Sequence, residues 1–224
     1  MPNLSVLTVV IPVLNDAQPL ARVLGALSSA PDCELIVVDG GSTDDSVAVG
    51  QASGARVLHA PAGRGQQLAA GAESACGARL WFLHADAGVN ERALAVVREA
   101  PPGWGRLRIR FEPSSAAMRV IAWFMHWRSS LTGICTGDQG MWVDADVLRA
   151  AGGVPRQPLM EDIELSRRLK RLARPQVLPA WIESSSRRWQ HHGVVRTVVG
   201  MWWFRLQYFL GVPAERLARR YARG

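Results

Sequence analysis

The sequence is almost devoid of lysine: Lys170 is the only one among 224 residues, and the positive charge is carried by arginine. Lysine and arginine together number 26 against 19 acidic residues, which gives a net charge of +7. Genomic base composition can produce such a preference for arginine, so the choice of arginine itself carries little functional information. The excess positive charge suits anionic partners such as phosphates, lipid headgroups or nucleic acid.

Closely spaced cysteines and long apolar runs are also missing. The three cysteines are far apart and form no Cys-x-x-Cys pair, which argues against a disulfide framework or a zinc knuckle and favours a reducing cytoplasm. No stretch reaches the roughly 20 uncharged apolar residues of a membrane span. The nearest, VVGMWWFRLQYFLGV, is interrupted by Arg205. The apolar start, VLTVVIPVL, has no basic residues before it and is predicted to be a strand rather than a signal peptide.

The sequence does contain an alternation of strand and helix patterns over its first hundred residues. Residues 6–13 are a continuous apolar run, and apolar residues with the helical i, i+3, i+4, i+7 spacing follow from Leu20 to Leu27. The apolar segments ELIVVD, ARVLHA and ARLWFL alternate with two further helical stretches, GGSTDDSVAVGQASG and residues 64–76. Continuous apolar strands between helices predict an α/β fold with a parallel sheet covered on both faces.

The second half of the chain has a different pattern. The segment RLRIRF, residues 106–111, alternates basic and apolar side chains, which predicts a half-solvated edge strand. An aromatic-rich helix is expected over about residues 114–131, followed by the glycine-rich segment TGICTGDQGMWV. A helix that runs from acidic to basic begins near Glu161, and the tail from Val194 is helical, with tryptophans among arginines.

Three aspartates follow predicted strands and are therefore candidates for a site. Asp16 comes after the first strand, Asp39 ends the second, and Asp86 follows the fourth. Because parallel strands end at one edge of the sheet, where ligands of such sheets bind, we expect the three carboxylates to converge there. Each also has a structural explanation: Asp16 and Asp86 could cap helices, and Asp39 could shape the turn before a helix capped by Ser42 or Thr43.

The segment LMEDIELSRRLKRL adds a second acidic group. Its acids open the helix and its arginines and lysine close it, which is the charge order that the helix dipole favours. The alternative to this purely structural role is a carboxylate that faces the edge of the sheet.

Six segments occur in the order seen in family 2 glycosyltransferases, and the chain resembles the small, soluble bacterial members of that family. The resemblance covers roughly residues 6–193. It implies the GT-A fold, in which a Rossmann-like nucleotide-binding half-sheet continues into a mixed sheet. It also implies a nucleotide-binding half over 1–100, an acceptor half over 101–193 and a helical tail over 194–224. The six segments are VVIPVLND, ELIVVDGGSTDDS, GRGQQLAAGA, LWFLHADAG, TGDQGMWVDADVLRAAGG and MEDIELSRRLKR.

The resemblance assigns donor-binding roles to residues of the first half. Pro12 and Asp16 match the family's first nucleotide-contacting loop. Asp39 matches the acid that hydrogen-bonds the base or ribose of the donor, and Arg64 lies in the glycine-rich segment beside the nucleotide.

The resemblance also assigns a metal and a base. Asp86 matches the last acid of the Asp-x-Asp motif, which ligates Mn²⁺ or Mg²⁺ beside the diphosphate, and Asp162 matches the catalytic base. The first acid of that motif is His84 here; hard oxygen ligands suit these ions better, so His84 could instead contact the sugar or ribose. A late histidine in RRWQHHG, His192 in preference to His191, is the candidate for a second metal ligand, and a polar loop is the alternative for that segment.

The implied function is an inverting, metal-dependent, hexosyltransferase-type transfer from a nucleoside-diphosphate sugar to an acceptor hydroxyl. The segment around Arg187 and Trp189 lacks the glutamine spacing of the processive synthases, which favours a single addition. The sugar, the base and the acceptor are not identified, although a lipid-linked acceptor would suit a tail that contacts membranes through residues 194–211. The tail could equally pack on the sheet or on a second subunit as a homodimer.

Two other classes of protein share some of these features. A sugar-phosphate nucleotidyltransferase would hold a nucleoside triphosphate in a similar half-sheet. A non-catalytic module could use the arginines and tryptophans to bind membrane surfaces or nucleic acid, but surface charge alone rarely needs five acids in register, so we expect no nucleic-acid partner. A dinucleotide-binding enzyme is disfavoured because AGRGQQLAAG lacks the Gly-x-Gly-x-x-Gly spacing and does not follow the first strand.

Overall fold

The computed structural model describes residues 7–28, 33–186 and 193–221, and within them one mixed sheet of seven strands. The order of the strands across the sheet is β3-β2-β1-β4-β6-β5-β7. The strands are β1 (Leu7–Val13), β2 (Cys33–Asp39), β3 (Arg56–His59), β4 (Arg79–Phe82), β5 (Trp104–Glu112), β6 (Trp142–Asp144) and β7 (Gln176–Ser185).

Nine α-helices occur in the described ranges, most of them between strands. A single 3₁₀ turn, Gly137–Gln139, precedes β6. The helices are α1 (Ala17–Leu27), α2 (Ser46–Ala52), α3 (Arg64–Ser74), α4 (Glu91–Arg98), α5 (Ala116–Thr132), α6 (Ala145–Ala150), α7 (Glu161–Leu169), α8 (Val194–Phe209) and α9 (Ala214–Tyr221).

The first four strands are parallel, as the apolar runs predict, and the α/β fold is confirmed. β6 is antiparallel to both β4 and β5, and β7 is parallel to β5. The prediction that residues 106–111 form an edge strand is wrong, because β5 lies between β6 and β7. Basic and apolar side chains do alternate along β5. Such alternation indicates that one face of the sheet is solvated, and it does not indicate that a neighbouring strand is missing.

The sheet buries an apolar layer on each face. On one face, alternate residues of β1 such as Val9 and Ile11 pack against α1 and α4. On the other face, Val10 packs with α3, α6 and α7. The helical spacing predicted from Leu20 to Leu27 is the buried face of α1.

A smaller third cluster attaches α5 and α8 to the far end of β5. In this cluster two methionines of α5 meet the strand, and α8 adds partly buried residues. Across the described ranges, every helix is too short or too polar to cross a bilayer. The cluster consists of Ile109, Phe111, Met118 and Met125, with Val198 and Met201 packed against them.

A buried arginine joins the two halves of the sheet. Arg79 of β4 donates from Nε to Oδ1 of Asp144 at 2.7 Å, and from Nη1 to the carbonyl oxygens of Val97 and Ala100 at 2.8 Å each. Its guanidinium lies 4.6 Å from the ring centroid of Trp142. One side chain therefore stabilises the junction of β4, β6 and the end of α4.

Replacing Arg79 by methionine is expected to lower the free energy of unfolding by about 3–5 kcal/mol, because Asp144 and two carbonyl groups lose a buried donor. Urea denaturation would measure this. Arg156→Met is the matched control: its pair with Glu73 is exposed, so the expected loss is below about 1 kcal/mol. Equal losses in the two variants would contradict a structural role for the buried pair.

Candidate functional site

The carboxyl ends of the parallel strands bring the predicted acids to one edge of the sheet. Val13 at the end of β1 is in register with Asp39 at the end of β2. β4 pairs with β1 on its other side, so Asp86, four residues beyond Phe82, leaves the sheet at the same edge. The strand order therefore explains the shared edge that the sequence predicts for these acids.

Asp39 shapes the turn that follows its strand. Its Oδ2 accepts the backbone N–H of Gly41 at 3.0 Å, and its Oδ1 accepts that of Ser42 at 3.1 Å. Burial would raise the pKa of Asp39, but these hydrogen bonds and one with His59 bring the pKa below its ordinary value. The carboxylate is thus ionised and already fixed in place, whatever else it binds.

Asp16 occupies the N-cap position of α1, as its capping alternative predicts, but another side chain accepts the hydrogen bond there. In the described first turn of α1, Asp16 accepts no capping hydrogen bond through its side chain, and Asp44 takes the N–H of Ala17 at 3.1 Å. Asp44 also accepts the N–H of Ser46 at 3.0 Å, and the N-cap position of α2 is Asp45. The prediction that Ser42 or Thr43 caps α2 is therefore wrong.

Asp86 does not cap a helix either. The N-cap of α4 is Asn90, whose Oδ1 accepts the N–H of Ala93 at 2.9 Å. The helix-cap interpretation of Asp86 is therefore wrong, and its carboxylate faces a cavity instead.

Arg64, the first residue of α3, connects the two halves of the site. Its Nε forms an ion pair with Glu161, and its Nη2 lies 3.3 Å from Oδ2 of Asp162. Its Nη1 lies 2.8 Å from Nε2 of His84. The family resemblance predicts Arg64 beside the nucleotide, but nothing in the sequence predicts that it also contacts the acids of α7.

His84 is a neutral hydrogen-bond acceptor in this structure. Burial lowers the pKa of the imidazole to about 3, and the charge of Arg64 also lowers it, against an opposing effect of Asp162. Since the guanidinium can only donate, Nε2 accepts and the ring proton is on Nδ1. The role of His84, which the sequence left open, is contact with Arg64.

A glycine allows this close arrangement. A Cβ on Gly137 would lie 2.9 Å from both Nη1 of Arg64 and Nε2 of His84, closer than side-chain carbons approach such atoms. The same residue donates its N–H to Oδ2 of Asp162 at 3.0 Å. The glycine-rich segment TGICTGDQG thus supplies a backbone donor where a side chain would not fit.

The two acids that open α7 have different electrostatic surroundings. Burial would raise the pKa of Asp162, but Arg64 and the N–H of Gly137 bring it below its ordinary value. Burial outweighs Arg64 at Glu161, whose pKa is raised. Met160, the N-cap residue just before α7, has a left-handed backbone conformation with φ 62°. This conformation is uncommon for a residue other than glycine and is often found at functional sites.

Asp138 is a half-buried acid that the sequence analysis missed. Its Oδ1 has no hydrogen-bond partner among the described residues, and burial raises its pKa. Its position in the segment TGDQG was the available signal, but one acid in a glycine-rich loop is also typical of an ordinary turn.

A cavity of about 410 Å³ lies where these residues meet. Its acidic lining residues are Asp86, Asp138, Glu161 and Asp162, and its basic ones are Arg64 and, from α8, Arg205. Pro12 lines an adjoining narrow recess with Arg64 and Asp162, whereas Asp16 and Asp39 do not line the cavity. The structure thus brings the metal, base and arginine candidates together and leaves two donor candidates further along the edge.

The residues present fit a hard divalent cation. Asp86 offers a carboxylate to the cavity and Asp138 has an unpartnered carboxylate oxygen, and such oxygen donors suit Mg²⁺ and Mn²⁺. The described residues contain no cluster of three or more ligating side chains. His191 and His192 lie outside the described residues.

The first part of the chain matches a known family. Residues 8–100 match Glycosyl transferase family 2, a segment that includes Asp39, Arg64 and Asp86. The resemblance found in the sequence motifs is therefore confirmed. No curated protein sequence matches the chain significantly.

Solved structures show a similar fold over most of the chain. Residues 1–349 of TarS from S. aureus superpose with a TM-score of 0.63 at 15% identity, covering 80% of this chain and 60% of that one. A mannosyltransferase from Pyrobaculum calidifontis, solved with GDP-Man and Mn²⁺, gives 0.63 at 17% identity over 80% and 56%.

A third solved structure is glucosyl-3-phosphoglycerate synthase from Mycobacterium tuberculosis, in complex with Mn²⁺, UDP and phosphoglyceric acid. It gives a TM-score of 0.56 at 21% identity over 80% of this chain and 68% of that one. The chain spans about 60% of the length of the first of these three structures. At these identities the superpositions establish the GT-A fold, which confirms that prediction.

Proposed function

We propose that the protein is a glycosyltransferase that moves a sugar from a nucleoside-diphosphate sugar to an acceptor hydroxyl, with inversion and one addition per acceptor. The observation that carries this proposal is the meeting of Asp86, Arg64 and Asp162 around one cavity at the carboxyl edge of the sheet. Solved structures of the same fold contain UDP-GlcNAc in one case and GDP-Man in another, which supports a sugar-nucleotide donor.

Asp162 is the proposed general base. The acceptor hydroxyl gives its proton to this carboxylate while its oxygen attacks the anomeric carbon. The bond from that carbon to the diphosphate oxygen breaks, and the nucleoside diphosphate leaves with the electron pair. One displacement inverts the anomeric carbon and needs no nucleophilic side chain.

Arg64 controls how strong a base Asp162 is. Its charge lowers the pKa of Asp162, which keeps the carboxylate ionised but also weakens it as a base. A diphosphate that draws the guanidinium away from Asp162 would raise that pKa when the donor is bound. Donor binding and base strength are thus connected through one side chain.

Asp86 would hold the divalent metal, Mn²⁺ or Mg²⁺, together with His192. When bound, such an ion supplies Lewis-acid stabilisation of the charge that develops on the leaving diphosphate. The mannosyltransferase solved with Mn²⁺ and the synthase solved with Mn²⁺ or Mg²⁺ have the same fold, which supports this assignment.

The donor's nucleoside would lie along the edge formed by Pro12, Asp16 and Asp39. Asp39→Ala is expected to weaken nucleoside diphosphate binding, since a site built around a hydrogen bond discriminates strongly when the partner is missing. It should also destabilise the fold by about 1–3 kcal/mol, because two backbone N–H groups lose their acceptor. Calorimetric titration with UDP and GDP would measure the affinity.

Asp39→Asn separates these two effects, because its carbonyl oxygen can still accept from the turn. An unchanged nucleotide affinity in both variants would remove Asp39 from the donor site. Asp146→Ala, an exposed acid on α6, is the control for loss of one negative charge.

We also propose that the protein works in the cytoplasm, with residues 194–211 at the inner face of the membrane and a lipid-linked acceptor. All three cysteines are free, which suits a reducing compartment. The tail offers exposed tryptophans and arginines, the combination found in interfacial helices.

A thermal-shift panel of nucleoside diphosphates with and without Mn²⁺ tests the proposed function first. We expect one base to stabilise the protein, more strongly with the metal, and the matching sugar nucleotide to release its diphosphate when an acceptor is present. Inversion is read from the anomeric configuration of the product by NMR. Reaction of a nucleoside triphosphate with a sugar phosphate would instead identify a nucleotidyltransferase, and vesicle binding without nucleotide binding a non-catalytic module.

A further inference from the structure

Exposed aromatic side chains gather on one surface formed by α5 and α8. The rings of Phe124 and Trp202 lie 6.0 Å apart between centroids, which joins the two helices. Trp123 contacts both Phe124 and Trp127, at 6.5 and 6.1 Å. We call this surface the α5–α8 face; its main residues are Trp123, Phe124, Trp127, Trp202, Trp203 and Leu206.

These side chains are exposed to an unusual degree. Trp123 is 60% exposed, Trp202 53% and Trp203 59%. Their spacing along each helix is i, i+3 or i+4, so they form apolar stripes of the kind that normally face a core. Contiguous exposed apolar surface of this type marks a docking site rather than ordinary surface.

The charges that the two helices themselves carry are all of one sign. Residues 116–132 and 194–209 contain four arginines and no aspartate or glutamate. Arg119 and Arg196 are exposed, while Arg128 and Arg205 are half-buried. A partner that covers this face therefore has to be apolar at its centre and negatively charged around it.

An anionic lipid surface has that chemistry, and a second copy of the chain does not. A symmetric dimer through this face would bring the same arginines opposite one another. At a membrane, tryptophan rings lie at the headgroup level and arginines reach the phosphates. We infer that the α5–α8 face docks on a membrane that contains anionic phospholipid, with α5 contributing as much of the contact as the tail helix.

The cavity lies on the other side of α8 from this face. Met201, Phe204 and Arg205 of α8 line the cavity, and Trp202 and Trp203 of the same helix belong to the exposed face. Docking would hold the cavity about one helix diameter from the headgroups. This last consequence matters only for the proposed transferase activity, whereas the docking itself does not depend on that activity.

Flotation with vesicles tests the inference. The full chain is mixed with vesicles of equal parts phosphatidylcholine and phosphatidylglycerol, and separately with phosphatidylcholine alone. We expect the protein to float with the mixed vesicles in low salt, and at least tenfold less of it to float with the neutral vesicles or in high salt. Protein that stays at the bottom with mixed vesicles in low salt would overturn the inference.

Two paired variants separate the contributions of the helices and the charges. Trp123→Ser with Trp202→Ser removes one ring from each helix, and Arg119→Gln with Arg196→Gln removes two exposed charges; each pair should lower vesicle binding at least tenfold. Leu172→Ser is the control, since Leu172 is an exposed apolar residue that belongs to neither α5 nor α8. Wild-type flotation of the tryptophan pair would overturn the inference.

Two further measurements distinguish the alternatives. Sedimentation in solution shows whether the face joins two chains: a dimer that the tryptophan pair abolishes, without vesicle binding, would replace the membrane by a second copy. Thermal shift with nucleoside diphosphate and Mn²⁺ should be the same in the tryptophan pair and the wild type. Vesicle binding without any nucleotide response would leave the docking surface standing and remove the proposed transferase activity.

Discussion

Replacing Asp162 by asparagine is expected to lower turnover by about 10²–10⁴-fold, because an amide cannot accept the proton of the acceptor hydroxyl. Donor and metal binding should remain close to wild type. The amide oxygen can still accept the N–H of Gly137, and Arg64 keeps its ion pair with Glu161. Steady-state rates and calorimetric donor affinity, measured on the same preparation, would show the separation.

Glu164→Gln is the matched control for Asp162→Asn. Glu164 also belongs to the acidic first turn of α7, and its loss changes the charge at the helix start by the same amount. Its ion pairs are with Arg167 and Arg168 on its own helix, so its turnover should stay near wild type. An Asp162→Asn protein with wild-type turnover would leave Asp162 a purely structural role and remove the proposed base.

Replacing Asp86 by asparagine is expected to abolish the metal dependence of donor binding. A neutral amide is a poor ligand for a hard cation, and even residues outside the ligand shell are worth about 10–100-fold in metal affinity, so a direct ligand should cost at least as much. Titration of the selected nucleoside diphosphate with and without Mn²⁺ gives the effect directly. Asp146→Asn, which changes an exposed acid on α6 that does not line the cavity, serves as the control.

The two substitutions should therefore affect different quantities, donor affinity in one case and turnover in the other. Asp86→Asn should lose affinity for donor with metal, and Asp162→Asn should lose rate with affinity retained. Donor binding by Asp86→Asn that still rises with Mn²⁺ as in the wild type would place the metal on other residues, of which Asp138 has the unpartnered oxygen.

The nucleotide-binding half of the fold could be predicted almost to the residue. Strands β1, β2 and β4 contain apolar runs, and parallel strands buried on both faces need such runs. β3 is a short edge strand with exposed Arg56 and His59 at its ends, and the turn signals around it made it recognisable. The second half was harder because its strands lack that signal. β6 has three residues, and β7, which the sequence analysis did not predict, contains Pro179 and alternates in burial at the edge of the sheet.

The chemistry-bearing residues could be found from the motifs, but their contacts could not. The link from Arg64 to Glu161 joins residues 97 positions apart, and nothing in either segment specifies the other. His84 looked like a weak metal ligand because the motif places an acid there. Its actual partner is an arginine, and only the fold determines that an acceptor is needed at that point.

Helix α8 separates the cavity from the exposed aromatic surface by its own thickness. That thickness would fix how far from the membrane the reacting hydroxyl of an acceptor lies. An α-helix with its side chains is about 10–12 Å across. On a docked protein, the hydroxyl group that reaches Asp162 would lie about one helix diameter from the headgroups. Such a distance favours a hydroxyl on the first sugars of a lipid-linked acceptor over one at the headgroup itself or at the far end of a long glycan. Acceptor length, rather than acceptor stereochemistry alone, would then determine which molecules are modified.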